Sequence, residues 1–274
     1  MHKPRFKGKH YDIGYRQGNF IYKKGVRLEK YFNLTKARKE FGIKCISECE
    51  KVFPEVLEEI KGLADGTKIE YRDFASFIFG MYCFEFANWC TCFAFKDVTS
   101  LVFGRNSDFT VSLVDQYESA FYNLAAGYSF IGNSTAVVQM EDGINEHGLA
   151  IGLTFNNLKV IKPGLNAGML VRYMLEKCKT VKEALASLTS IPIASAQTLT
   201  IVDKTGDMVV VECNCEKSFI IKPRNNENFV VACNHFVSGE MQRYQDFEKR
   251  YAEYRSIDRY QTAYNALKSG GITL

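Results

Sequence analysis

Residues 90–108 read Cys-Thr-Cys-Phe-Ala-Phe-Lys-Asp-Val-Thr-Ser-Leu-Val-Phe-Gly-Arg-Asn-Ser-Asp, and the fold turns on them. Two short β-prone runs, 90–96 and 101–107, flank a turn-like stretch at 96–100. The pattern predicts an antiparallel hairpin that lays 90–96 opposite 101–108. Upstream the texture differs. Residues 11–88 read as helical. Val56, Leu57, Ile60, Leu63 and Ala64 follow the helical period, with Pro54 near the start and Gly66 just past the end. Gly14 and Gly18 stand one turn apart and leave room for a close neighbour. Residues 71–88 are apolar and aromatic and read as a buried helix.

Downstream of the hairpin, strands are predicted at 119–124, 127–131, 135–140 and 149–155. Two helices follow within 167–189, the second capped by Thr180. Strands return at 197–203, 207–212, 217–222 and 228–233, with a hairpin turn at 203–206. Residues 239–268 are polar, periodic and read as helical. Strand blocks alternating with helices indicate an α+β fold, with helices covering antiparallel sheets.

A chain of 274 residues can bury one large core or two small ones. With 46% hydrophobic and 14% aromatic residues it is a folding chain rather than a disordered one. The net charge of +4 is uneven: residues 1–89 carry 17 Lys/Arg against 12 Asp/Glu, and the remainder 18 against 19. No dense basic stripe with interleaved aromatics appears, so nucleic acid is not the expected partner. The start has no apolar signal core, and no run approaches a transmembrane helix. Nine scattered cysteines do not form a secreted disulfide pattern, so reduced thiols in a cytoplasmic protein are the expectation.

Four segments carry the chemistry: Cys90-Thr91-Cys92-Phe93-Ala94-Phe95; Gly104-Arg105-Asn106-Ser107-Asp108-Phe109; the stretch from Asp142-Gly143-Ile144-Asn145-Glu146-His147-Gly148 through Leu153-Thr154-Phe155; and Ala232-Cys233-Asn234-His235-Phe236. A thiol attacks an amide carbonyl as its thiolate, so it needs a base or a depressed pKa. Were Cys90 the first residue of a chain, its own α-amine, titrating near ~7.7–8.0, would be a base a few bonds away. Asp108, one hairpin from Cys90, is suited to orient that ammonium. Arg105 is suited to hold a thiolate or a substrate carboxylate. Asn234, at the end of a predicted strand, offers a side-chain NH2 to a tetrahedral oxyanion.

In that order the four segments resemble the N-terminal-nucleophile (Ntn) hydrolases of the acyl-coenzyme A:6-aminopenicillanic acid acyltransferase and choloylglycine hydrolase superfamily, which acts on linear amide C–N bonds. The resemblance runs from about Gly14 to about Tyr260. It is nearer to the acyltransferase branch, which also has a long helical prosegment. It implies an αββα sandwich, with residues 1–89 as prosegment or α subunit and 90–274 as the catalytic domain. It implies Cys90, Arg105, Asp108 and Asn234 as catalytic residues, activation by a cut between Trp89 and Cys90, and a small N-acyl amide substrate. Thr154 falls where the bile-salt branch places an Asn. Arg259 resembles a family arginine that braces the site. Two departures stand out. The family often has Gly where this chain has Trp89, and acyltransferase relatives run further past the segment matching 239–268, so the fold is trimmed or the chain truncated.

No cofactor or metal is implied, and no membrane partner; the oligomeric state, homo-oligomer included, stays open. The spacing in Cys90-x-Cys92 and Cys213-x-Cys215 is tighter than zinc sites usually use. Cys92 shares a strand face with Cys90 and is a competing nucleophile. Two other readings stay open: a papain-like pair of Cys90 with His147 or His235, and an uncleaved, non-catalytic binding protein. Asn145, Glu146 and Gly148 read as a hairpin turn. Substrate choice is expected in the loops 110–118 and 155–168.

Overall fold

The strand that begins at Trp89 alternates strictly. In β2 (Trp89–Lys96), Cys90, Cys92 and Ala94 are buried on one face, while Thr91, Phe93 and Phe95 point to the other. Each face has its own cover, and that decides the layering. This is a computed structural model, and it describes residues 2–26, 28, 32–84, 89–108, 117–156, 160–224, 227–245 and 255–270.

β2 is the middle of a three-stranded sheet, between β3 (Leu101–Asp108) and β11 (Phe229–Ala232), both antiparallel to it. The larger sheet has eight strands. Its order is β1 (Arg5–Gly8), β4 (Glu118–Leu124), β5 (Phe130–Ser134), β6 (Asp142–Asn145), β7 (Ala150–Phe155), β8 (Gln197–Val202), β9 (Met208–Cys213), β10 (Ser218–Ile221). Ala94, Val230 and Ala232 of the small sheet pack against Ala150, Val202, Met208 and Val210 of the large one. On the outside of the small sheet, Phe93, Phe95, Phe229 and Val231 pack on Tyr260, Tyr264 and Leu267 of α8 (Ser256–Lys268).

The outer face of the large sheet carries the main core. Leu149, Ile151, Leu153 and Phe155 meet Leu170, Val171, Met174 and Leu175 of α5 (Ala167–Lys177) there. The helices α1 (His10–Lys23), α2 (Lys36–Val52), α3 (Pro54–Thr67) and α4 (Tyr71–Gly80) join the same core. The architecture is thus helix, sheet, sheet, helix, an αββα sandwich. α6 (Val181–Ser187) starts at Thr180, whose side chain accepts from Glu183 N, and α7 (Gly239–Gln242) is a single turn.

Two features bind the N-terminal segment into this body. The first is backbone-to-backbone packing of α1 on α3. A Cβ at Gly14 would stand 2.0 Å from Glu59 O, and one at Gly62 would stand 2.1 Å from Tyr11 O. Gly18 and Gly66 repeat the contact one turn on. The second is a fully buried ion cluster. Arg172 of α5 donates to Glu59 of α3 at 2.6 Å and also pairs with Glu176. Glu176 in turn pairs with His10 of α1 at 3.0 Å, and the Arg172 guanidinium lies 4.1 Å from the centroid of the Tyr122 ring.

Three sequence expectations are corrected. No strand forms at 135–140. Ala136 N donates to Ser134 Oγ and Val137 takes φ 49°, so the chain turns, and the apolar Val138 and Met140 are buried in the main core instead. The strand that follows β5 is β6 at Asp142–Asn145. The N-terminus is not wholly helical, because Arg5–Gly8 pairs in parallel with Phe121–Leu124, which also makes the large sheet mixed at that edge. In the third correction the buried helix at 71–88 ends at Gly80, and residues 85–88 lie outside the described ones. Within the polar stretch at 239–268, residues 246–254 also lie outside them, and among the described residues the stretch holds α7 and α8.

The Gly14–Glu59 contact sets a stability test. Gly14→Ala should lower unfolding stability by roughly 1–3 kcal/mol or more by overpacking. Gly239→Ala, whose added Cβ meets nothing within 4 Å, should stay within about 0.5 kcal/mol of the wild type. Urea midpoints compare the two, and equal midpoints would show that α1 does not ride on α3.

Candidate active site

The register of the small sheet sorts the site into two sides. Cys90 is opposite Ser107, Cys92 opposite Arg105, and Trp89 opposite Asp108. Directly opposed residues share a face, so Cys90, Cys92, Arg105 and Ser107 look into the space between the sheets. Trp89, Thr91 and Asp108 look toward α8.

On the inner side the organising group is Arg105, whose side chain is 1% exposed. Its Nη2 donates to Cys90 Sγ at 2.9 Å and its Nε to Leu153 O at 2.8 Å. Its Nη1 donates to Glu141 at 3.2 Å and Asp142 at 3.0 Å. The arginine can cross the gap because β7 has Gly152 beneath it. A Cβ there would meet Cys92 Sγ at 2.9 Å and Arg105 Cδ at 3.0 Å. The carboxylates are fixed in turn. Glu141 accepts from Ser107 at 2.8 Å and Thr135 at 2.7 Å, and Asp142 accepts from Asn133 at 2.5 Å.

Sequence reading missed the roles of Glu141 and Asp142. Their signal was two adjacent acids beside a strand, with a lone arginine on the hairpin opposite.

At the strand end, Asn234 Oδ1 accepts from Cys90 N at 2.8 Å and from Arg259 Nη2 at 2.8 Å. Two obligate donors on one atom identify it as the amide oxygen. Asn234 Nδ2 donates to Phe155 O at 2.7 Å. The group expected to face an oxyanion is therefore engaged with β7, and it is the oxygen that faces Cys90. Arg259 Nη1 donates to Cys90 O at 2.6 Å and Thr91 Oγ1 at 2.9 Å. A short separation in sequence from Asn234 still reaches the site, because α8 lies directly on β2 and β11. Asp108 is exposed and stands on the Thr91 side. Thr154 is buried under the small sheet, bonded to Cys233 O at 2.6 Å and Thr198 at 2.5 Å.

The electrostatics of the thiol follow from these neighbours. Burial pushes Cys90 up to about 11, while Arg105 opposes that rise by its charge and hydrogen bond and Glu141 and Asp108 add to it. Cys92 is pushed further, to about 12, again mainly by burial. It sits deeper in the gap, against Gly152.

The two histidines lie elsewhere. His235 is on the α8 side, with Nδ1 2.7 Å from Ser256 Oγ and its ring edge-on to Tyr260. Burial, with Arg259 adding, lowers it to about 4. His147 sits on the β6–β7 turn against Tyr128, beyond the Ala150 end of β7, whereas Arg105 meets that strand at Leu153 O. That turn is the one read from sequence: Asn145 Oδ1 accepts from His147 N and Leu149 N, and Gly148 has φ +83°. The second Cys-x-Cys pair is split: Cys213 is buried, accepting from Gln197, and Cys215 contacts Val160 O. Among the described residues no cluster of metal-ligating side chains occurs, and no helix is long and apolar enough to cross a membrane. Of the expected substrate loops, 110–116 and 157–159 lie outside the described residues.

Residues 95–270 match the family model for acyl-coenzyme A:6-aminopenicillanic acid acyl-transferase. The chain belongs to this acyltransferase family. The matched span holds Arg105, Asp108, Thr154, Asn234 and Arg259 but begins after Cys90.

Among solved structures, the N-acylethanolamine-hydrolyzing acid amidase ortholog of Caenorhabditis elegans is similar in fold. Its TM-score is 0.51 at 17% identity, over 66% of this chain and 79% of that one. Penicillin V acylase from Agrobacterium tumefaciens gives 0.32 at 20% identity, over 52% of this chain. A variant of conjugated bile acid hydrolase from Clostridium perfringens gives 0.31 at 16%, over 58% of this chain. The chain spans 43% of the length of the acylase and 48% of that of the bile acid hydrolase. No curated protein matches the chain.

The Arg105–Cys90 contact predicts a measurable thiol. In the uncut chain, alkylation of Cys90 should climb toward pH 11. Arg105→Met should move that ionisation upward and slow labelling at about pH 9. Mass spectrometry of the Cys90 peptide reads both, and unchanged or faster labelling in the variant would place the guanidinium away from the sulfur.

Proposed function

We propose that the protein is an Ntn amide hydrolase or acyltransferase with Cys90 as nucleophile, activated by cleavage of the Trp89–Cys90 bond. The observation that carries this reading is the pair of contacts at one residue: Arg105 Nη2 on Cys90 Sγ, and Asn234 Oδ1 on Cys90 N. One stabilises a thiolate and the other accepts from a nitrogen that cleavage would turn into an amine.

Activation needs no added cofactor. Cys90 Sγ attacks the Trp89 carbonyl carbon; the C–S bond forms, the C–N bond breaks and the nitrogen takes up the proton. Water then hydrolyses the thioester to a Trp89 carboxylate and a free thiol. Before the cut, the thiol is held near 11 and the Cys90 nitrogen is a peptide nitrogen, which is no base. After it, an amine titrating near ~7.7–8.0 can take the thiol proton. Asn234 Oδ1 and the nearby Asp108 orient that amine, Arg105 holds the sulfur, and Arg259 fixes the Cys90 carbonyl and Asn234 from the other side.

In turnover the thiolate attacks the carbonyl of an N-acyl amide and the Cys90 ammonium protonates the leaving amine. Water completes hydrolysis; a second amine would complete transfer. Residues 1–89 stay with the rest of the chain after the cut, supported by the Gly14–Glu59 packing, the Arg172 cluster and the β1–β4 pairing.

N-terminal sequencing of active protein should give Cys90 as a new terminus, and Cys90→Ala should abolish both cut and turnover. Activity should rise with pH through one ionisation in the amine range. It should show no step near the ordinary histidine value of ~6.5, because His235 is already neutral above about pH 4. Full activity with an intact Trp89–Cys90 bond would overturn the proposal.

A further inference from the structure

Asn156 follows β7 and is 1% exposed, yet among the described residues neither atom of its side-chain amide has a hydrogen-bond partner. Its position is defined by strand alternation. Ala150 of β7 packs between the sheets, and Ile151, Leu153 and Phe155 pack on the outer core. Gly152 and Thr154 follow Ala150 on the inner side, against Arg105 and Cys233 respectively. Asn156 continues the β7–β8 pairing through its own N, which donates to Ala196 O at 3.0 Å. Its side chain therefore falls on the inner side, the side of the Cys90 thiol.

Two further observations tie it to the site. The peptide that joins Phe155 to Asn156 supplies the carbonyl that holds Asn234, and Asn234 holds Cys90. Asn156 is thus linked to the reacting nitrogen through the Asn234 amide and its own peptide with Phe155. Its cross-strand neighbour Ala196 packs with Phe236 and Met241, an apolar setting for an amide. A buried amide left this way is costly, and such a group in a native protein calls for a reason, a functional role or an ordered water among them.

We infer that Asn156 recognises the substrate, taking a neutral carboxamide or peptide group next to the bond cut at Cys90. The chemistry of the side chain selects that class. An Asn amide has an acceptor oxygen and a donor nitrogen side by side, and a second amide satisfies both at once. A carboxylate accepts only, so it leaves the Asn156 oxygen without a donor. An alkyl group satisfies neither. The inference rests on the proposed activity and narrows it to N-acyl compounds that carry a further amide beside the scissile one.

Three compounds with one acyl group test this: the N-acyl derivatives of glycinamide, glycine and ethylamine. The wild type should favour the glycinamide by roughly tenfold in kcat/KM over the ethylamine compound, the worth of about one hydrogen bond of net 1.4 kcal/mol. Asn156→Leu should bring the three within about twofold. Its Tm should equal the wild type's or exceed it by about 2 °C or more, since an unpaired buried amide is removed.

A fall in Tm with the preference intact would overturn the inference, showing an amide that serves the fold through bound water. Equal rates for all three compounds in the wild type would overturn it too. Binding is read apart from turnover by thermal shift with the corresponding ureas, which the thiol does not cleave. Ureas that discriminate in the absence of any turnover would count against the proposed activity and for Asn156. Ureas that do not discriminate while turnover is normal would count the other way.

Discussion

The buried guanidinium of Arg105 is the constraint on which the site depends. A charge held at 1% exposure is tolerable only if its donors are met, and here they are met by a sulfur, a carbonyl and two carboxylates. That requirement explains several other features at once. Gly152 is needed so that β7 lets the side chain across. Glu141 and Asp142 must stand together at the start of β6, and Ser107, Thr135 and Asn133 must hold their remaining lone pairs. Losing Arg105 would leave both carboxylates unpaired between the sheets, and losing a neutral donor would leave a buried lone pair unmet, so the set is coupled.

The thiol's position at the end of this gap sets its chemistry. Its sulfur looks inward to Arg105, while its backbone is gripped from the α8 side by Arg259 and at its nitrogen by Asn234. One residue thus meets two different environments, because a strand presents its side chain and its backbone in different directions. Burial outweighs the opposing pull of Arg105 and holds the thiol protonated, near 11 in the uncut chain. On the proposed reading, a neighbouring amine freed by cleavage would offset that, and activity would then follow processing.

The N-terminal segment is part of the same body. Two glycine pairs let α1 and α3 touch backbone to backbone, and Glu59 and His10 complete a buried ion cluster on Arg172 and Glu176 of α5. Breaking such a cluster typically costs about 3–5 kcal/mol, because the remaining charge is stranded. A cut at Trp89 would sever the chain without removing any of these contacts.

Local pattern alone determined much of this. Short β-prone runs marked β2, β3, β7, β8, β9 and β11; the helical period and flanking Pro54 and Gly66 marked α3; Thr180 marked the start of α6; and Gly14 with Gly18 announced a close neighbour. Composition and order pointed to α+β layers, and the segments around Cys90, Arg105, Asp108 and Asn234 pointed to thiol chemistry. What local pattern cannot encode is which elements meet. The apolar run at 135–140 resembles a strand, but its side chains are buried by helix packing while its backbone turns. The charged Arg5–Gly8 gives no strand signal of its own and pairs only because β4 presents an open edge. Glu141, Asp142 and Asn156 acquire meaning from Arg105 and Asn234, which lie far away in sequence. The orientation of the Asn234 amide was likewise decided by two donors, Cys90 N and Arg259, that only the packing of α8 on the small sheet brings to one atom.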